Sequence, residues 1–122
     1  MKVTRAIREF IEQQIEMKEK QALEPFLKKK EDALKRVNEE SENLKAEMNS
    51  MLQPVLDKYN IKKKLNVSIP NLEYYLPEVN KYNEKRDEFY NKRKSFVVDI
   101  IAEMELGGTK AELMELINSI QF

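Results

Sequence analysis

Residues 61–77 read IKKKLNVSIPNLEYYLP, and they separate two stretches whose apolar residues recur three and four apart. Upstream the series is Leu27, Leu34, Val37, Leu44, Met48, Met51 and Val55. Downstream it is Val79, Tyr82, Phe89, Phe96 and Ile100, with Val97, Ile101 and Met104 beside it. Both series have helical periodicity, so the interruption marks where a long helical structure turns back. Inside it, Lys62 to Lys64 form a solvated basic run, and Leu65, Val67 and Ile69 alternate with Asn66 and Ser68 as in a short strand. Pro70 and Asn71 stop that pattern. A lone strand has open hydrogen-bonding edges, so this segment is expected either to pair with another copy or a partner protein, or to be an extended connection. Leu72, Tyr75 and Leu76 fit one helical turn capped by Asn71, with Pro77 in the first turn of the returning helix.

On the upstream side the pattern is most regular from residue 26 to 59. Leu27, Leu34, Ser41, Met48 and Val55 fall seven apart, and so do Lys30, Val37, Leu44 and Met51. Interleaved, they make a coiled-coil seam that Lys30 and Ser41 weaken. At 1.5 Å per residue this helix spans roughly 50 Å and needs a partner strip along its length. Pro54 is expected to bend it near Ser50 or to end it early. Residues 2–23 read as a separate first helix, with Val3, Ile7, Phe10, Ile11, Ile15 and Met17 on one broad side. Its register does not continue into the seam, and Pro25 supplies a cause for a kink or break near residues 21–24; the plainer alternative is one gently curved continuous helix.

On the downstream side the returning helix is expected over 78–106, with Arg86 and Arg93 laying methylenes on the seam while their charged heads reach water or a carboxylate. Leu106, Gly107 and Gly108 end it. Thr109 caps the next helix, 109–120, with Glu112 three residues on as the other member of a capping box. Leu113, Leu116, Ile117 and Ile120 make its apolar face, which must dock because so short a helix does not hold alone. Docking on its own chain is the plainer expectation; a detachable partner-binding tail is the other. The expected fold is therefore all-α: one helical domain over 1–122, an elongated antiparallel hairpin or coiled coil with an N-terminal helical segment, a 60–77 connection and a short C-terminal helix.

The chemistry the chain lacks narrows its function. It has 22 basic and 22 acidic residues, no histidine and no cysteine. Those absences remove the commonest base near neutral pH, the commonest zinc ligands, the thiol nucleophile and any disulfide framework. Gly107 and Gly108 are the only glycines. A phosphate-cradling loop and a dinucleotide fingerprint are thereby excluded, and GGTK is explained by capping. Pairs such as Glu12 with Glu16, Glu39 with Glu42 and Glu84 with Glu88 read as solvated helix faces. We expect no catalytic residue, no cofactor and no metal site. No apolar run resembles a signal peptide or approaches the 18 residues of a membrane span, so a cytoplasmic protein without membrane contact is expected. Ten asparagines and many lysines are common where coding DNA is AT-rich, which points to a low-GC bacterium or its phage.

The expected function is structural, adaptor-like or regulatory, carried by helical protein–protein contacts in a homodimer. Candidate contact residues for a protein partner are Leu65, Val67, Ile69, Tyr74 and Tyr75 in the connection, and Leu113, Leu116, Ile117 and Ile120 on the last helix. The alternative is a nucleic-acid-binding accessory protein using region 62–94. Residues 59–98 hold nine basic and five acidic residues, and seven of the ten aromatics lie between Tyr59 and Phe96. There Lys62, Lys63, Lys64, Lys85, Lys92 and Lys94 would neutralise phosphates while tyrosines stack on bases. Against it, Tyr82, Phe89 and Phe96 sit on the packing seam.

Overall fold

The computed structural model describes residues 1–62, Ser68 and residues 73–122, apart from the side chain of Tyr74. It is all-α: α1 runs Arg5–Lys58, a single 3-10 turn spans Glu73–Tyr75, α2 runs Pro77–Glu105 and α3 runs Lys110–Ser119. Among the described residues there is no strand, and the alternating segment at Leu65, Val67 and Ile69 lies outside them. The chain packs as two compact units, one formed by Met1–Leu27 with Lys81–Phe122 and the other by Lys28–Asn80.

Thr4 starts α1, its hydroxyl accepting from the Ile7 amide at 3.3 Å, as an N-cap does. The two helices expected on either side of Pro25 are a single one, 54 residues long, which also passes through Pro54. Each proline removes one amide and orphans the carbonyl four residues back. Gln21 and Ser50, which carry those carbonyls, are on exposed turns, as are both prolines, so water can take the bond. The rest of α1 holds no glycine and is rich in Glu, Lys, Ala, Leu and Met, residues that favour helix. α1 ends on Asn60 at φ +54. The Asn60 amide bonds Asp57 O at 3.2 Å and the Ile61 amide bonds Leu56 O at 2.9 Å, the paired bonds of a left-handed helix stop.

The first unit holds the larger core. Ile11 and Ile15 of α1, Ile100, Ile101 and Met104 of α2, and Leu113 and Ile117 of α3 are buried together, with Val3, Ile7, Phe96, Val97, Leu116, Ile120 and Phe122 packed around them. Within this unit α1 and α2 are antiparallel: Glu19 meets Arg93 and, a few turns on, Phe26 meets Phe89. An edge-to-face series continues through Phe122 to Phe96, with centroids 5.4 and 5.3 Å apart, the arrangement ring quadrupoles prefer.

α3 docks back on α1 and α2. Thr109 caps it, accepting from Glu112 N at 3.3 Å. Its far end is tied by Lys18, whose ammonium donates to the Asn118 and Ile120 carbonyls at 3.1 and 3.2 Å, a cation where the helix dipole is negative. Gly107 lets α2 stop, at φ +120, a backbone region that favours glycine.

In the second unit the described buried side chains are fewer: Ala33, Leu56 and Val79. The start of α2 meets α1 there through Arg36 and Glu78, 3.9 Å apart.

Candidate protein-contact surface

Beyond Arg36, α1 continues for about six turns to Lys58. On those turns the coiled-coil spacing of the sequence becomes an open strip. Leu44 is 46% exposed, Met48 37%, Met51 71% and Val55 51%. Their 4-3-4 spacing places them on one side of the helix, within about 60° of one another at 100° per residue. Leu52, half-buried, and Leu56, buried, lie next to this strip around the helix. The two apolar faces of this part of α1 thus differ in exposure, the second being the more sheltered.

In the first unit a cleft of about 590 Å³ lies between α1 and α2. Val97, Val98, Ile101 and Ala102 supply its apolar lining, Glu12 and Glu16 stand along the α1 edge, and Arg93 and Lys94 along the α2 edge. Arg93 is held across the helix pair, Nη1 3.7 Å from Glu16 and Nε 3.3 Å from Glu19 Oε2. That Oε2 is buried, and the approach is not aligned for a hydrogen bond. Burial therefore raises the Glu19 carboxyl above its usual 4.5, Arg93 opposes the rise and Glu16 adds to it. Glu88 shifts the other way, lowered by hydrogen bonds from Lys85 and then Lys92. Among the described residues no three His, Cys, Asp or Glu side chains converge as metal ligands would, and no helix is long and apolar enough to cross a membrane.

Of the contact residues expected from sequence, Leu113 and Ile117 are in the core, Leu116 and Ile120 pack against it, and Tyr75 is exposed. Leu65, Val67 and Ile69 lie outside the described residues, as does the side chain of Tyr74. The face of α3 is consumed by its own chain, so the docked helix offers Met114, 41% exposed, rather than its apolar side. Of the basic set, Lys62 and Lys94 are exposed, while Lys63 and Lys64 lie outside the described residues. Lys85 and Lys92 reach Glu88 at 3.1 and 3.3 Å. Lys85 also lies over the Phe26 and Phe89 rings, and Lys94 stands 4.3 Å from the Tyr90 ring centre. Phe89 is buried and Phe96 half-buried, which leaves Tyr59, Tyr75 and Tyr90 as the described aromatics most open to a base.

Spacing alone does not single out the bare strip Leu44, Met48, Met51 and Val55 as a site. Its signal was present as the heptad. What spacing does not show is which residues of a seam are buried and which stay bare. Compared with known proteins, the chain matches no family model, no curated protein sequence and no solved structure.

Proposed function

We propose that this protein is a non-enzymatic structural or adaptor protein of the cytoplasm that works as a homodimer, and that the strip on the second half of α1 is its dimer surface. The observation that carries the reading is the run Leu44, Met48, Met51 and Val55, apolar, exposed and at coiled-coil spacing. A strip of this kind is its own complement, because a two-fold axis sets the same patch against itself. Met supplies flexible side chains that adapt to whatever packs on them. Burying the four releases water from apolar area at roughly 25 cal/mol per Å², while the carboxylates and lysines beside them stay in water. A partner protein would then be held on helical surfaces of the assembled pair.

The test is sedimentation velocity across the micromolar range. The wild type is expected to run as a dimer. Met51→Lys, a change at a side chain that is already exposed, is expected to run as a monomer with unchanged far-ultraviolet circular dichroism. A wild-type chain that sediments as a compact monomer throughout the range defeats the proposal.

A further inference from the structure

Resting on that dimer reading, we infer that the two α1 strips pack antiparallel, with the two-fold axis between Met48 and Met51. The strip is short enough for its register to be enumerated. Centred on itself in the antiparallel sense, it sets Leu44 against Val55 of the second copy and Met48 against Met51, a long side chain against a shorter one at each end. The next seam positions outward are Ser41 and Lys58, so each lysine falls opposite the other copy's serine, one residue from Glu40. A parallel pair stacks Lys58 on Lys58 and every other side chain on its own duplicate.

The charges along this part of α1 are the second, independent observation. Residues 38–50 carry Glu39, Glu40, Glu42 and Glu47 against Lys45 alone, whereas the last helical residues, 51–58, carry Lys58 against Asp57. All of these except Lys45 are exposed. An antiparallel pair lays the acidic end of one copy beside the charge-balanced end of the other; a parallel pair lays acid on acid over the same length. Opposed helix dipoles add in the same direction. One contact favours the parallel form: Glu40 and Lys45 occupy flanking positions that would meet between parallel copies. Lys45 already has Glu42 on its own helix at 3.4 Å, so that pair gives little new.

The chain has no cysteine, and single cysteines therefore report on pairing without background. Leu44→Cys and Val55→Cys, both at exposed positions, are mixed and oxidised mildly, and each is also oxidised alone. Residues 44 and 55 of one helix are about 16 Å apart, far beyond disulfide reach, so the like pairs stay apart in the antiparallel dimer while the mixed pair touches. The mixture is expected to cross-link at least about tenfold faster than either variant alone. Leu44→Cys cross-linking alone as fast as the mixture overturns the orientation and leaves the dimer standing. Sedimentation of the reduced variants as monomers overturns the dimer, and the orientation with it.

Discussion

Replacing Ile117 by alanine is the sharpest probe of how α3 is held. Ile117 is 1% exposed and belongs to the cluster formed by Ile11, Ile15, Ile100, Ile101, Met104 and Leu113. The change removes three carbons from a fully buried side chain. At about 0.8 kcal/mol per methylene, the transfer loss is about 2.4 kcal/mol, and the cavity left behind brings the expected total into the range of about 2 to 5 kcal/mol. Ile117 lies on a helix of ten residues, too short to persist once its docking face is weakened. In urea unfolding followed by circular dichroism, a slope of about 1 to 3 kcal/mol per molar turns that loss into a midpoint lower by about 1 M or more. Met114, on the same helix but 41% exposed, is the control, and Met114→Ala is expected within about 0.5 kcal/mol of wild type. An Ile117→Ala midpoint indistinguishable from that of Met114→Ala would refute the docking of α3 and revive a detachable tail.

The remaining expectations use the same unfolding assay. At Gly108, an alanine Cβ would stand 2.7 Å from Sδ of the fully buried Met104 and 3.3 Å from its Cα. Gly108→Ala should cost about 1 to 3 kcal/mol, and should cost much less in a Met104→Ala background; equal costs in the two backgrounds would remove the clash as cause. Thr109→Ala deletes the cap on the Glu112 amide and should cost about 1 kcal/mol, with Thr109→Ser restoring most of it. For pH, the lowered Glu88 carboxyl contributes stability that is present above 4.5 and lost as pH falls through its folded value. The raised Glu19 carboxyl contributes stability present below 4.5 and lost as pH rises through its folded value. Relative to wild type, Glu88→Gln should therefore do best at acid pH and Glu19→Gln should gain as pH rises above 4.5. Parallel curves for all three proteins would contradict both assignments.

The helical fold was legible because periodicity and end signals agreed along most of the chain. Of the downstream series, Val79, Phe89 and Ile100 are buried, with Met104 beside them, and Tyr82 and Phe96 are half-buried; the Thr109 cap forms where the sequence puts it. Pro25 does not break α1: the carbonyl it orphans lies on an exposed turn where water can bond it, and exposure of that turn is a property of packing. Phe10 and Met17 share the N-terminal apolar side yet stay exposed; the side was broader than the face that α2 and α3 cover. The same holds for the bare strip on α1. A heptad announces that a helix wants a neighbour, and its residues do not say whether the neighbour belongs to the same chain.

The two packing units differ in what they ask of a growing polypeptide. Lys28–Asn80 is contiguous, so its contacts are available as soon as that span has emerged. The other unit joins Met1–Leu27 to Lys81–Phe122, with bonds from Met1 to Met104 and from Lys18 to Asn118 that span about a hundred residues. Such closures come late and carry the larger loop entropy. Until Ile100, Met104, Leu113 and Ile117 are made, Ile11 and Ile15 lack the partners they are buried against. Of the two partners in this core, the earlier-made one is thus the last to be sheltered, and it is the face of Ile11 and Ile15 that a ribosome-bound chaperone would have to cover until α3 arrives.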